Sequence, residues 1–380
     1  MKYRTLGRSG IRVSEVGVGG HREGVETQGG IDRTARFFAS DQERARVIGA
    51  AIDAGITYFD STYYCEIESL GQSLRLLGRR DGLIVSGMRV DFFANYLHER
   101  GDIRAYVRRE VEGCLRAFGF DHVDQFICGA MEQGDPVSHR PEMEDAIDEL
   151  DRLRQQGKLR LIGFSTHEPD YGARLLSAFP AFDTAMVPYN FANRAAEGKL
   201  AAEVQSRTAA LIAMKTLVWH IYGIPVTVLR HLRPAPGRLE LCPDVPIGRL
   251  ALQFVLANQQ ISTCVPAVNS IESARQNASA SGRTLDAGEL RSLEQYAAAM
   301  VAEDFVPLAI AALHEKNGRI LANALGLLGR KLKLDLPSID WGANDAQQKA
   351  QQVAKKVLRD LAADDQWAPL IGDREMANAG

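Results

Sequence analysis

Several things are missing from this 380-residue chain. It has no run of about 18 apolar residues, so no membrane-spanning helix is predicted. No charged-then-apolar segment of a secretory leader opens it. The five cysteines, Cys65, Cys114, Cys128, Cys242 and Cys264, are odd in number and lack CxxC spacing. That argues against a disulfide framework or zinc ribbon and for a reducing, cytoplasmic setting. Neither charge dominates: 45 Lys and Arg against 48 Asp and Glu leave a formal net charge of −3, which points away from nucleic acid and anionic membrane as partners. Low-complexity tracts and close repeats are also absent. What is plentiful is hydrophobic sequence, 46% of residues, enough to bury one large domain or two smaller ones.

The pattern along the chain is organised. The opening "MKYRTLGRSGIRVSEVGVGG" reads as a hairpin turning at Ser9-Gly10 and running into a strand near Glu15–Gly19. A polar loop is expected from about His21 to Ala39. Ser40 and Glu43 then stand at capping-box spacing before a helix that Gly55 closes. Seven further strand-like runs follow: "ITYFD" (56–60), "LIVSG" (83–87), "VDQFIC" (123–128), "LRLIGFS" (159–165), "TAMVPY" (184–189), "ALIAMK" (210–215) and "ISTCVP" (261–266). Helical patterns or longer loops separate them. Eight short strands alternating with helices predict an α/β fold, a (β/α)₈ TIM barrel with an N-terminal hairpin. A doubly wound sheet is the alternative, on the incomplete glycine pattern of Gly17, Gly19 and Gly20. Residues 1–302 are assigned to the barrel. Residues 303–380 form a helical extension, expected to pack on the barrel, on a partner subunit of a homo-oligomer, or over the site as a lid.

Residues able to do chemistry collect at the predicted strand ends, where such barrels keep their active sites. Asp60 closes the second strand, with Tyr63, Tyr64 and Cys65 just behind it. Neighbouring strand-end residues point oppositely, so one tyrosine is expected to pack and the other to face the mouth. Cys65 has no adjacent cation to make it a thiolate, which favours a packed thiol. His21 and His167 follow the first and fifth strands, and His167 is the preferred proton carrier because imidazole exchanges protons near neutrality. Cys65, Glu66, Glu132, His21 and His167 have the chemistry of metal ligands, but no HxxxH or HxxE spacing supports a metal, and none is expected.

Six segments in order resemble the aldo-keto reductase family over about residues 1–300: "YRTLGRSGIRVSEVGVGG", "AIDAGITYFDS", "GKLRLIGFS", "VPYNFANR", "ALIAMKTL" and "VPAVNSIESARQNASA". The resemblance implies a (β/α)₈ barrel binding NADP(H) at the strand ends without a Rossmann domain. It also implies hydride transfer to a carbonyl, with a tyrosine acid tuned by a lysine that pairs with an aspartate, and a histidine orienting the carbonyl. Asp60 matches the aspartate. An ungapped count puts Cys65 at the tyrosine position, while the short loop also allows Tyr64 or Tyr63. Met88 stands where the lysine belongs and Gly129 where the histidine belongs. A tyrosine beside Met88 is expected to keep a near-ordinary phenolic pKa. For the cofactor, Ser165, Asn190, Lys215, Thr216, Leu217, Arg275 and Asn277 fall on the family's binding positions. Thr166 replaces an asparagine, Ala267 a glycine or lysine, and Ser273 an arginine. The resulting expectation is an NADP(H)-binding oxidoreductase with altered acid/base residues and an unusual small-molecule substrate. A lyase or isomerase on the same barrel, or a non-catalytic binding or regulatory protein, are the alternatives.

Overall fold

A computed structural model of the protein describes residues 1–20, 25–27, 30–32, 38–217, 224, 228, 231, 247–302, 306–340 and 345–371. The chain opens with an antiparallel hairpin, β1 (Tyr3–Thr5) against β2 (Arg12–Ser14), with Tyr3 opposite Ser14. Arg4 pins it down: its guanidinium donates to Glu15 at 2.9 Å and to the Ile261 carbonyl at 2.7 Å. A second, short antiparallel pair, β3 (Val25–Thr27) and β4 (Gly30–Asp32), lies where only loop was expected. Thr27 and Gly30 face each other across a two-residue connection, the length that favours hairpin closure.

The helix α1 (Asp41–Asp53) starts on Ser40, whose hydroxyl accepts the Glu43 N–H at 3.1 Å. The Glu43 carboxylate reaches back one residue farther than a standard box, to the Ala39 N–H. Gly55 ends the turn with φ 87°, where a side chain would be strained.

The alternation then runs β5 (Tyr58–Ser61), α2 (Tyr64–Leu77), β6 (Ile84–Arg89), α3 (Phe92–Glu99), α4 (Ile103–Phe118), β7 (Val123–Cys128), α5 (Arg140–Gln155), β8 (Leu159–Ser165), α6 (Pro169–Ala178), β9 (Thr184–Pro188), α7 (Lys199–Arg207), β10 (Ala210–Met214), α8 (Ile247–Ala257), β11 (Ile261–Cys264) and α9 (Ile271–Ser279). Strands β5 to β11 pair in parallel in chain order. The expected first strand is present only as isolated bridges, Val16 to Cys264 and Val18 to Phe59, but these join both edges of the sheet. The Gly17 N–H donates to the Cys264 carbonyl at 2.7 Å, and the Asp60 N–H to the Val18 carbonyl at 2.8 Å. The sheet is therefore a closed barrel, and the doubly wound alternative is excluded. Gly19 serves that closure, since a Cβ there would stand 2.5 Å from the Val265 carbonyl oxygen.

The barrel interior is filled as alternation requires, by Leu6, Val13, Tyr58, Ile84, Met88, Ile127, Leu161, Met186, Ala210, Ile212 and Val265. One polar layer crosses it: the Tyr58 hydroxyl donates to Gln125 at 2.9 Å, and the Gln125 amide donates to Thr184.

The described chain divides into two compact units: residues 1–189, 194–216 and 255–283, and residues 190–193, 217–254 and 284–380. The second contains α10 (Ala287–Ala302), α11 (Val306–Ala312), α12 (Gly318–Leu332), α13 (Ala346–Ala362) and α14 (Ala368–Ile371). The apolar stretch "PLAIAALHEKNGRILANALGLLG" holds two helices, because the Asn317 side chain accepts the Ile320 N–H and starts a new helix at Gly318. Every residue of α11 is buried.

Candidate active site

Asp60 lies near the end of β5 and is 6% exposed. Its register partner on β6 is Ser86, whose hydroxyl donates to Asp60 Oδ1 at 2.9 Å. Among the described residues no cation pairs with this carboxylate. Burial, only partly offset by the Ser86 hydrogen bond, pushes the carboxyl up to about 7. Met88, two residues beyond Ser86 and on the same face of β6, belongs to the apolar barrel core. Its sulfur takes a 3.6 Å contact from the Ser165 hydroxyl. Gly129 has no room to be anything larger. A Cβ there would lie 2.7 Å from the Arg89 carbonyl oxygen and 3.0 Å from Met88 Cγ.

A second buried carboxyl adjoins the first. Glu66 is 3% exposed, sits in the first turn of α2, and accepts the Thr62 N–H at 2.7 Å. A Cβ added to Gly20 would meet Glu66 Oε2 at 2.5 Å and the Asp60 carbonyl at 3.3 Å, which locates the carboxyl beside the barrel mouth. Burial raises it to about 7; the Thr62 amide and Arg44 pull it down, and the nearby Asp60 charge adds to the rise. Glu66 is legible as a capping carboxylate at the start of α2, but its neighbourhood to Asp60 is not.

The aromatic pair separates. Tyr63 is the half-buried N-cap residue of α2. Tyr64 is turned toward α4: its hydroxyl donates to Glu110 at 2.9 Å, and the Arg89 guanidinium lies 3.6 Å from its ring centroid. Burial, with Arg89 working the other way, drives its phenol well above the ordinary value. The expected near-ordinary phenol is thus corrected for Tyr64, because desolvation outweighs the cation. Cys65 is fully buried and carries a thiol, not a disulfide.

His167 follows β8 and meets Glu132, which follows β7. The His167 backbone N–H lies 3.1 Å, and its ring Nδ1 3.2 Å, from Glu132 Oε1. Of the five residues with metal-ligand chemistry, these two come together, while His21 lies outside the described residues. Among the described residues no three His, Cys, Asp or Glu side chains form a metal-binding group, and no helix is long and apolar enough to cross a membrane.

The residues matched to cofactor binding are spread over several elements. Ser165 is buried and accepts the Ala130 N–H at 3.2 Å; Thr166 is fully buried. Lys215 directly follows β10 with φ 56°, a left-handed conformation rare outside glycine. Thr216 is buried, and its hydroxyl has no hydrogen-bond partner among the described residues. Asn277 on α9 is buried and donates to the Ala267 carbonyl at 3.3 Å, and Arg275, two residues earlier, is exposed. Ser273 completes a capping box with Ser270, which explains how a serine serves there. Asn190 is buried and accepts the N–H groups of Ala192 and Asn193 at 2.9 Å each; Leu217 is half-buried.

Comparison with known proteins places this architecture. Residues 31–218 match the model of the aldo/keto reductase family. Over that segment the chain is similar to the family. It is 26% identical over 202 residues to an aldo-keto reductase, YhdN, of Bacillus subtilis, covering 52% of this chain and 56% of that protein's length. It is 24% identical over 305 residues to an L-galactose dehydrogenase of Arabidopsis thaliana, covering 74% of this chain and 88% of that one. Among solved structures, an aldo-keto reductase from Klebsiella pneumoniae in complex with NADPH superposes with a TM-score of 0.60 at 21% identity, covering 78% of this chain and 95% of the other.

Proposed function

We propose that this protein is an NADP(H)-dependent oxidoreductase of aldo-keto reductase type in which Asp60, with His167, carries the proton transfer on an unusual small-molecule carbonyl or alcohol. The observation that carries this reading is the Asp60 carboxyl, buried without a cation among the described residues and balanced between its two protonation states near neutrality. With methionine in place of the lysine, the Ser86 hydroxyl is, among the described residues, the only side chain that favours the ionised form of Asp60, and burial outweighs it. Such a group donates and accepts a proton at little cost. Protonated Asp60 can give a proton to a carbonyl oxygen during reduction, and its carboxylate can take one from an alcohol in the reverse direction. The nicotinamide cofactor supplies the hydride chemistry when bound.

Support for a cofactor comes from the end of β10. An unsatisfied buried hydroxyl at Thr216 beside a strained Lys215 is a polar arrangement that a bound phosphate group would satisfy. In this reading Lys215 and Thr216 hold the pyrophosphate, Arg275 and Asn277 the adenosine phosphate, and Ser165 and Thr166 the carboxamide. The second reading, a lyase or isomerase, is favoured by the neighbouring carboxyls Asp60 and Glu66, which provide acid and base without hydride. Titration of intrinsic fluorescence with NADPH and NADH tests the proposal. Quenching by NADPH well below millimolar concentration, stronger than by NADH, is expected; no binding of either cofactor at millimolar concentration removes the reading. Consumption of NADPH during turnover separates the oxidoreductase from the lyase or isomerase.

A further inference from the structure

Glu132 lies in the short 3₁₀ turn Met131–Gln133 after β7, and His167 in the loop between β8 and α6. One carboxylate oxygen, Glu132 Oε1, faces both the backbone N–H and the ring Nδ1 of His167, at 3.1 and 3.2 Å. The Glu132 side chain is 7% exposed and that of His167 is 41% exposed, so the carboxylate is the fixed, buried partner and the ring reaches outward. The pair is anchored from below. Ser165, two residues before His167, accepts the N–H of Ala130, two residues before Glu132, and donates to Met88 in the barrel core. Burial alone would raise the Glu132 carboxyl, but hydrogen bonds from the His167 ring, from backbone N–H groups and from Thr166 outweigh it and lower it to about 2. An ionised carboxylate has only acceptors, so a ring nitrogen bonded to it must carry the hydrogen.

We infer that Glu132 is a positioning residue that fixes His167 in its Nδ1–H form and leaves Nε2 as the proton-exchanging atom at the strand ends. The dyad stands on these contacts; it rests on the proposed function only for the reaction its proton serves. A carboxylate that merely tied two loops together would leave the ring's tautomer and reactivity unaltered. A buried carboxylate aligned on Nδ1 sets both, because the hydrogen bond made by one ring nitrogen decides the state of the other.

The test uses the full chain labelled with ¹⁵N-histidine, with the His167 signal assigned by its loss in His167→Gln. Two-bond ¹H–¹⁵N spectra of the neutral ring should show the Nδ1–H form in the native protein and a shift toward Nε2–H in Glu132→Gln. As a chemical probe, diethyl pyrocarbonate with peptide mapping should modify native His167 at Nε2. In Glu132→Gln that rate should fall about tenfold, the equivalent of one charge-assisted hydrogen bond. A predominantly Nε2–H ring in the native protein overturns the inference, as does unchanged reactivity in Glu132→Gln. Should Glu132→Gln fail to fold, the native tautomer alone decides. Failure of NADPH to bind would remove the proposed function and leave the tautomer result standing, so the two failures are distinguishable.

Discussion

The Ser86 hydroxyl donates to the Asp60 carboxylate at 2.9 Å across paired strands, and it is the only side chain bonded to that carboxylate among the described residues. A hydroxyl can orient a carboxylate, but it cannot neutralise one. Asp60 therefore has a folded-state value raised to about 7, and Glu66 beside it likewise.

That rise fixes a pH dependence. An unfolded chain ionises these carboxyls near 3.8 and 4.5, while the folded chain holds their protons to about 7. Between those limits the folded state binds more protons, so stability is whole below about pH 4 and declines as pH rises to about 7. Glu132, lowered to about 2, has the opposite sign and loses its contribution only as pH falls from about 4.5 toward 2. Urea unfolding at several pH values should show that the double variant Asp60→Asn/Glu66→Gln flattens the slope between about pH 4 and 7. An unchanged slope would mean that neither carboxyl is desolvated as described.

Simple aldehydes should be reduced slowly, lacking the roughly 10²–10⁴-fold that a lysine-tuned tyrosine acid supplies. Met88→Lys alone is the better restoration of the family's arrangement. It sets an ammonium on the face of β6 that carries Ser86, which should ionise Asp60 at neutral pH and lower any reduction that draws its proton from Asp60. Gly129→His is the poorer one, because any Cβ there meets the Arg89 carbonyl at 2.7 Å. Gly129→Ala should cost about 1–3 kcal/mol in urea unfolding. Brisk aldehyde reduction by the native protein that survives Asp60→Asn and His167→Ala would show that another residue is the acid.

Tyr64→Phe separates packing from chemistry. Its hydroxyl belongs to a cluster with Glu110 and Arg89 between α2 and α4. Its loss should lower stability by about 1–3 kcal/mol, by leaving part of Glu110 unsatisfied, while native turnover changes little. Turnover should fall steeply in Asp60→Asn and in His167→Ala. If Tyr64→Phe abolishes turnover at native stability, the tyrosine acts in the reaction after all.

Removal of the residues after Val301 leaves α10 without α11, the helix it packs on within its own unit. Truncation is expected to change solubility, oligomeric state or cofactor affinity, read by light scattering and the NADPH titration. A truncated protein unchanged in all three would make the extension an appendage.

Much of the barrel was legible along the chain because it depends on local pattern. "VDQFIC" and "LRLIGFS" form strands β7 and β8 residue for residue. Short apolar runs flanked by helix caps leave little freedom in how they fold. The segment Val16–Gly19 was harder, since its pairing is confined to bridges with chain neighbours some 40 and 250 residues away. The break at Asn317 is not legible in the same way, because an apolar stripe reads through a cap whose signal is one side chain.

The site divides along the same line. Sequence alone determined which residue types stand at the strand ends: Asp60, Met88, Gly129 and His167, with lysine and histidine missing. Those identities follow from position in a repeating βα pattern, which one dimension records. Only the tertiary structure decided what each does. It buried Asp60 with no cation beside it among the described residues, turned Tyr64 toward Glu110, placed Glu66 near Asp60, and set Glu132 against His167 across 35 residues of chain. Desolvation and hydrogen bonding are properties of three-dimensional neighbourhood, and they set the protonation state on which the chemistry depends.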